Sequence, residues 1–310
     1  MSIEKHCTAL LFSISPQNKD RIEQAFNNHK KLMSHAELSA PTQVVDGNLK
    51  HYSSCFRMSL RSRDTDFNLL LMRQAFDDFA TEIEADYYFF VEGEVRGRPK
   101  FAVFDMDSTL IPMEVIDELA AEFGVKDKVA DITEEAMRGE LDFNQSFEKR
   151  LSILSGMPRK AVESVQQRIS LNPGVKALTS YLIDSGAEIG IASGGFKDFA
   201  RQIGEQLGVH EIKANALDFN EKDELTGKAN FPIVNAELKA RTLTEWAESR
   251  GLKLNETMAV GDGANDWLML KSAGFGVAYK AKDYLKYRAD CVLQFAEMDG
   301  LIDILKIVTK

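Results

Sequence analysis

The segment KFAVFDMDSTLIP, residues 100–112, determines the fold class that we expect for this chain. Its apolar run, Phe101 to Phe104, is typical of a buried strand, and two aspartates, Asp105 and Asp107, follow it directly. Side chains at positions i and i+2 of an extended chain point the same way, so both carboxylates can reach one site. At ~4 Å and an effective dielectric constant of about 20, their repulsion costs roughly 4 kcal/mol. Either one carboxylate therefore binds a proton, or a divalent cation such as Mg²⁺ neutralises the pair.

Two other predicted strands also end in polar turns. EIGIAS, residues 188–193, runs into SGGF, and TMAVGD, residues 257–262, runs into GDGAND. Amphipathic helical patterns separate the strands, and this alternation predicts an α/β fold with a parallel sheet covered by helices on both faces. Ligands bind at the carboxyl ends of the strands in such sheets. We therefore expect the three polar turns to lie together at one edge of the sheet.

Residues from about 115 to 172 interrupt this alternation with consecutive helical patterns. Because the segment directly follows the turn with the paired aspartates, we expect a helical cap above that edge of the sheet. A cap in this position can exclude water and select substrates. The four patterns are VIDELAAEFGV, VADITEEAMRGE, DFNQSFEKRLSIL and PRKAVESVQQRI.

Residues 1–95 have a different pattern, which predicts a small α+β domain before a larger domain at residues 96–310. Strands are predicted in CTALLFSIS, SCFRMSLRS and DYYFFVE, and helices over residues 18–38 and 65–85. The segment GEVRGRPK, residues 93–100, has the glycines, proline and charges of a linker. A length of 310 residues agrees with two domains.

The composition excludes several classes of protein. With 44% hydrophobic and 28% charged residues, it is that of a soluble globular protein, and the chain has neither an apolar membrane span nor a leader pattern, so we expect a cytoplasmic protein. A net charge of -10 argues against a nucleic-acid partner. It leaves a small anionic substrate possible, because salt screens a distant field beyond about 10 Å. Three scattered cysteines argue against a disulfide framework or a zinc site.

The polar turns carry groups suited to metal and phosphate chemistry. Asp262 can supply a third carboxylate for a cation, while Asp266 could coordinate the cation, hold a water or orient a neighbour. Ser193 and the backbone N–H groups around Gly194 precede a helical pattern, and amides at a helix N-terminus bind phosphate oxygens well. Lys239 is a candidate cation for a phosphoryl group that is being transferred.

This set of motifs resembles the haloacid dehalogenase superfamily, whose first motif, DxDx[TV], corresponds to DMDST at residues 105–109. The blocks FDMDSTLIPMEVIDELA, FNQSFEKRLSIL, SGGF, NAELKARTL and AVGDGANDWLML look like those of the bacterial phosphoserine phosphatases, in the same order. The resemblance covers residues from about 100 to 300. It implies a Rossmannoid parallel sheet with a helical cap, and residues 1–95 are similar to the ACT-like domain that is fused to some members.

The resemblance also implies a reaction, which is hydrolysis of phosphoserine as the last step of serine biosynthesis. Asp105 would attack phosphorus and become an aspartyl-phosphate. Asp107 would be the general acid and base, with a pKa raised by burial or by neighbouring negative charges. Magnesium would lie between the Asp105 carboxylate, the Asp107 backbone carbonyl and Asp262.

The remaining site residues are also assigned by the resemblance. Three of them would hold the phosphoryl oxygens, and five would contact the rest of the substrate from the cap and the sheet edge. The phosphate group comprises Ser193, Gly194 and Lys239, and the substrate group comprises Glu114 for the ammonium, Arg150 for the carboxylate, Met137 and Phe143 as apolar lid residues, and Asn265.

Two alternatives to phosphoserine hydrolysis are considered. One is a related phosphatase for another small phosphomonoester, and the other is a phospho-accepting signalling receiver, which also has an acidic cluster, a hydroxyl and a lysine at strand ends. The cap and the second aspartate favour hydrolysis over stable phosphorylation. The N-terminal turn SISPQNKD contains Pro16 and no glycine. This departure from amino-acid-binding ACT domains favours a structural role or a homodimer contact over serine sensing.

Overall fold

A computed structural model describes residues 5–14, 19–30, 36–46, 49–62, 69–91 and 98–309. The turn that contains Pro16 and most of the predicted linker, residues 92–97, lie outside the described residues.

The described residues of the N-terminal part form five strands and two helices. The strand prediction for residues 54–62 is confirmed, but the helix predicted over residues 18–38 is wrong at its end, because Ala36–Leu38 pairs with a neighbouring strand instead. A further strand, Thr42–Asp46, was not predicted. The elements are β1 (Lys5–Ser13), α1 (Lys19–Lys30), β2 (Ala36–Leu38), β3 (Thr42–Asp46), β4 (Ser54–Ser62), α2 (Leu69–Glu82) and β5 (Ala85–Val91).

The rest of the chain alternates strands and helices, apart from five consecutive helices between its first two strands. None of the described helices is both long and apolar enough to cross a membrane. The elements are β6 (Phe101–Phe104), α3 (Val115–Glu122), α4 (Lys126–Met137), α5 (Phe143–Ile153), α6 (Arg159–Arg168), α7 (Val175–Asp184), β7 (Glu188–Phe196), α8 (Lys197–Leu207), β8 (Glu211–Asn215), α9 (Ala236–Ser249), β9 (Thr257–Gly261), α10 (Trp267–Ser272), β10 (Phe275–Tyr279), α11 (Asp283–Lys286), β11 (Cys291–Leu293) and α12 (Gly300–Val308).

All the described strands belong to one sheet, in the order β2-β4-β1-β5-β11-β10-β9-β6-β7-β8, with β3 also paired to β4. The strands from β11 to β8 are parallel, which confirms the predicted parallel sheet. Strand β6 lies between β9 and β7, and the chain leaves it first toward β7 and later returns to β9. The strand order therefore reverses at β6, and ligands of such sheets bind beside the carboxyl ends of the strands at this point.

The N-terminal part continues the same sheet through antiparallel pairing of β5 with β11. Asp86 strengthens this junction because its buried carboxylate accepts hydrogen bonds from the backbone N–H groups of residues 294, 295 and 296 at 2.6, 2.8 and 3.0 Å. The hydroxyl of Tyr52 donates a fourth bond at 2.8 Å. The domain boundary near residue 95 stays a prediction, and the sheet extends across it.

The four predicted cap helices are confirmed as α3 to α6. Helix α5 begins with a capping box, in which Asp142 accepts a bond from the N–H of Gln145 and the Gln145 side chain accepts one in return. The loop after β8 contacts the cap between α5 and α6, where Gly156 and Leu225 are joined by a backbone hydrogen bond of 2.8 Å. The cap is thus held both by its two connections to the chain and by this loop.

Candidate active site

Asp105 lies at the carboxyl end of β6, where its N–H donates to the carbonyl of Val260 on β9 at 2.9 Å. The residue is 4% exposed. Its Oδ1 accepts a hydrogen bond from the N–H of Met106 and lies 2.8 Å from the Nζ of Lys239. No hydrogen bond from the described residues reaches Oδ2, so this second oxygen is the one available to a ligand.

Lys239 is fully buried and contacts two carboxylates. Its Nζ lies 2.8 Å from Asp105 and 2.7 Å from Asp266. Asn235, the N-cap of α9, accepts a bond from the N–H of Leu238 and so fixes the helix start one turn before the lysine. Burial alone lowers the pKa of Lys239, but the charges of Asp105 and Asp266 outweigh it and leave the pKa raised. The lysine therefore remains an ammonium.

Three buried aspartates form a cluster that could hold a metal ion. One carboxylate oxygen from each of Asp105, Asp262 and Asp266 lies within 4.8 Å of the others. Burial, followed by the charges of Asp266 and Glu114, raises the pKa of Asp262 to about 7. Lys239 is one positive charge beside three carboxylates, so the ionised cluster has a surplus of negative charge. Oxygen ligands with this surplus fit a hard divalent cation.

Asp266 also orients its neighbours. Its Oδ1 accepts the bond from Lys239, and its Oδ2 accepts the backbone N–H groups of Asp262 and Gly263 at 3.1 and 3.0 Å. The sequence left three roles open for Asp266. These bonds correspond to one of them, the orientation of neighbouring groups. Membership of the cluster keeps metal coordination as a prediction.

Asp107 follows in the tight turn Met106–Leu110. Its Oδ1 is shielded from solvent and has no hydrogen-bond partner among the described residues. Burial raises the pKa of Asp107, and the negative charges of Glu114 and Asp105 raise it further. The turn also places the hydroxyl of Ser108 2.7 Å from Glu114, with Ser108 in the left-handed region at φ 56°. The pKa of Asp107 is thus shifted upward, which is the direction that the sequence predicts.

The turn after β7 faces Asp107. A Cβ atom at Gly195 would lie 2.6 Å from the Asp107 Oδ2 and 2.8 Å from the Met106 side chain, so only glycine allows this approach. The hydroxyl of Ser193 accepts a bond of 2.9 Å from the N–H of Gly195. Gly195 is not among the site residues predicted from the sequence, although the paired glycines of SGGF were the available signal.

A cavity of about 1000 Å³ lies between the cap and this edge of the sheet. It brings together all the predicted site residues except Lys239, which lies behind Asp105, and Asp266, which contacts Lys239. The predicted residues that line it are Asp105, Asp107, Glu114, Met137, Phe143, Arg150, Ser193, Gly194, Asp262 and Asn265.

Arg150 is the cation that the cap contributes to this cavity. It is half-buried at the end of α5, and its Nε donates a long bond of 3.4 Å to the carbonyl of Ser146. No carboxylate among the described residues lies within ion-pair distance of its guanidinium. Burial lowers the pKa of Arg150, against the opposing charges of Asp117 and Glu114. An arginine held in this way has its donors available for an anion.

The two predicted lid residues differ in their surroundings. Phe143 stacks on Phe147 with ring centroids 6.4 Å apart, and its ring approaches the backbone of Gly194. Met137, at the end of α4, is 81% exposed. Phe143 is therefore fixed against the turn after β7, while Met137 borders the cavity from its outer side.

Comparison with known proteins identifies the class. A family model for haloacid dehalogenase-like hydrolases matches residues 99–274. The chain belongs to this family of hydrolases.

Several similar proteins carry the name phosphoserine phosphatase. The phosphoserine phosphatase of Archaeoglobus fulgidus is 42% identical over 208 residues, which are 67% of this chain and 60% of that protein. The phosphoserine phosphatase of Streptococcus thermophilus is 42% identical over 217 residues, 70% of this chain and 99% of that protein. The crystal structure of a probable phosphoserine phosphatase from Vibrio cholerae, in unliganded form, has a TM-score of 0.69 at 30% identity and covers 96% of this chain and 86% of its own.

Proposed function

We propose that this chain is a magnesium-dependent phosphoserine phosphatase, which hydrolyses O-phospho-L-serine to L-serine and phosphate and so completes serine synthesis. Its similarity to phosphatases of that name supports the substrate. The observation that carries the proposal is the position of Arg150, whose unpaired guanidinium lines the same cavity as Asp105 and Asp107. A phosphomonoester that also bears a carboxylate would engage both ends of this cavity.

In the first step, Asp105 attacks phosphorus. Its Oδ1 is held by Met106 and Lys239, which leaves Oδ2 as the nucleophile. The new bond joins Oδ2 to phosphorus, and the bond between phosphorus and the serine oxygen breaks. The products of this step are serine and an aspartyl-phosphate on the enzyme.

Asp107 supplies the proton that the leaving serine oxygen needs. Its pKa is raised by burial, by Glu114 and by Asp105, so a protonated carboxyl persists above the pH at which an exposed aspartate ionises. In the second step the resulting carboxylate takes a proton from water while the water oxygen bonds to phosphorus. The bond to Asp105 then breaks, phosphate is released, and both aspartates return to their first state.

The phosphoryl oxygens would be held by the Ser193 hydroxyl, the Gly194 backbone N–H and Lys239. The first two line the cavity beside Asp105, and the ammonium of Lys239 contacts the nucleophile itself. Donors that are fixed before the reaction stabilise the charge that develops in the transition state.

Magnesium would be held by the Asp105 carboxylate, the Asp107 backbone carbonyl and Asp262. The surplus negative charge of the aspartate cluster supports a divalent cation at this place. When bound, the ion neutralises charge on the carboxylates and the phosphoryl group. Thr109 donates a hydrogen bond of 3.0 Å to Asp262, which orients this carboxylate.

The cap would select the substrate. Arg150 would bind the serine carboxylate, Glu114 the ammonium, and Asn265 would contact the substrate from the sheet edge, while Phe143 and Met137 cover it. Glu114 already accepts a bond from Ser108 in the turn that carries Asp107. A substrate ammonium at Glu114 would therefore lie directly beside the acid that protonates its serine oxygen.

A substrate comparison tests the proposal. Purified protein with Mg²⁺ should release phosphate from O-phospho-L-serine and at least about 100-fold less efficiently from O-phosphoethanolamine, which lacks the carboxylate, because a site built for a polar group rejects the analogue that lacks it. Arg150→Ala should abolish this preference. Arg138→Ala is the matched control, since Arg138 is an exposed cap arginine paired with Glu134 and Glu140.

Three results would count against the proposal. Equal turnover of both substrates would indicate that the natural substrate is a different phosphomonoester. Full activity in the presence of EDTA would show that the reaction needs no divalent metal ion. A stable phosphorylated protein without turnover would favour the receiver alternative. The cytoplasmic location and a homodimer through residues 1–95 stay predictions.

A further inference from the structure

The phosphate-binding turn is a bulge in the sheet. Strand β7 pairs with β8 at Ala192 and Lys213, and next at Phe196 and Asn215. Four steps along β7 thus correspond to two steps along β8, and residues 193–195 leave the ladder and line the cavity.

A single side chain replaces a lost partner of this bulge. Backbone groups that leave a ladder in a buried place need other hydrogen-bond partners. The Nδ2 of Asn215 donates to the carbonyl of Gly194 at 2.8 Å, and its Oδ1 accepts the N–H of Val234 at 2.9 Å. Asn215 is 4% exposed and is not among the residues that line the cavity. Both the nitrogen and the oxygen of its side-chain amide are therefore hydrogen-bonded.

This bond also sets the role of the serine hydroxyl. The carbonyl of Gly194 and the N–H of Gly195 belong to one planar trans peptide and point to opposite sides. Asn215 holds the carbonyl, and on the other side the N–H donates to the Oγ of Ser193 at 2.9 Å. Because Oγ accepts this bond, the hydroxyl keeps its own proton for an acceptor in the cavity.

We propose that Asn215 is a positioning residue for the phosphate-binding turn, which fixes the peptide between Gly194 and Gly195 and so keeps the Ser193 hydroxyl as a donor to the phosphoryl group. The proposal rests on the proposed function, since it requires a phosphoryl group in the cavity. Asn215 also accepts the N–H of Val234, five residues before Lys239. It therefore helps to position the segment that leads to Lys239, another proposed phosphate ligand.

A double-mutant cycle separates positioning from a purely structural role. Asn215→Asp keeps the acceptor for Val234 but replaces the donor with a group that repels the Gly194 carbonyl. We expect Asn215→Asp and Ser193→Ala each to lower kcat roughly 100-fold, the scale for loss of one fixed donor. The double variant should lie within about threefold of Ser193→Ala, because residues that act through one another are not additive. Losses that multiply to roughly 10⁴-fold would overturn the proposal.

A second variant avoids the buried charge that Asn215→Asp introduces. Asn215→Ser is uncharged, and it should reproduce both the loss in kcat and the non-additivity with Ser193→Ala. Asn28→Ser is a control, because Asn28 bonds to Glu82 in the N-terminal part and should keep the wild-type kcat. If circular dichroism shows neither Asn215 variant to be folded, Asn215 is a folding determinant and the proposal is wrong.

Phosphate binding distinguishes a failure of this proposal from a failure of the proposed function. Absence of phosphoserine turnover in the wild type would refute the function alone. Calorimetric titration with inorganic phosphate and Mg²⁺ should still show weaker binding for both Asn215→Ser and Ser193→Ala, by about tenfold, which is 1.4 kcal/mol. Unchanged affinity in Asn215→Ser beside reduced affinity in Ser193→Ala would overturn the positioning role.

Discussion

Asp86 is fully buried and Asp107 is half-buried with its Oδ1 shielded from solvent, but the surroundings of these two aspartates are opposite. Asp86 accepts four hydrogen bonds, three from backbone N–H groups and one from Tyr52. These bonds join β5 to residues 294–296. Asp107 has an oxygen with no partner among the described residues and two negative neighbours, Glu114 and Asp105. The first carboxylate is satisfied by the fold, whereas one oxygen of the second has no partner among the described residues.

The difference teaches how a function can be read from a burial pattern. A buried polar group without a partner is costly, and such sites persist where a ligand or a reaction uses the group. Asp86 has four donors and no described contact with the cavity, so its purpose is structural. Asp107 faces the cavity with a raised pKa, which suits a group that must hold and release a proton.

The largest effect should come from Asp107→Asn. The amide has nearly the same shape but cannot donate the proton, so kcat should fall about 10³-fold, or about 4 kcal/mol of activation free energy. Because the amide cannot ionise beside Glu114 and Asp105, the thermal midpoint should stay equal or rise. Phosphate release and differential scanning fluorimetry measure the two quantities. A normal kcat with a lowered thermal midpoint would show that Asp107, like Asp86, has a structural role and no catalytic one.

Asp86→Ala should give the reverse result. Three buried N–H groups lose their acceptor, so the free energy of unfolding should fall by about 3 kcal/mol, and the thermal midpoint by roughly 6 °C. The kcat of the folded protein should stay within twofold, because Asp86 does not line the cavity. Asp184→Ala, at an exposed residue, is the control and should shift stability by less than about 0.5 kcal/mol. A large loss of kcat in Asp86→Ala would contradict the contrast.

Glu114→Gln should produce the smallest change, which is a shift in pH dependence. Burial, Glu114 and Asp105 all raise the pKa of Asp107, and removal of the Glu114 charge removes one of these contributions. Asp107 must be protonated to act as the acid, so kcat falls as pH rises through its pKa. In the variant this fall should therefore begin at a lower pH than in the wild type.

The control for this shift is Glu118→Gln, on the same helix but outside the cavity. Profiles of kcat against pH at saturating substrate allow the comparison. An unshifted or upward-shifted profile in Glu114→Gln would show that Glu114 does not act on Asp107.

Much of the catalytic edge could be predicted from the sequence because its residues lie at the ends of strands. Topology brings such ends together, so Asp105, Ser193 and Asp262 could be placed in one cavity from their order in the chain. The resemblance to a known family added Glu114 and Arg150, which no local pattern distinguishes from residues of a solvated helix.

Other features depend on contacts between distant segments and could not be predicted. Asn215 bonds to Gly194 across 21 residues, and the three backbone donors to Asp86 lie more than 200 residues away. Strand β2 was mistaken for a helix end because its identity comes from pairing with β4, whereas its own three residues carry no strand signal.

The sheet junction has a consequence for synthesis of the chain. Ala296 follows Asp86 by 210 residues, an interval that takes a ribosome roughly 10 to 40 s. During that time β5 has an open edge on the side of β11, and the Asp86 carboxylate lacks its backbone donors. The N-terminal part is therefore completed by residues that are made about 210 positions later. A chain released early keeps an unpaired strand edge, which marks it for pairing with other chains or for proteolysis.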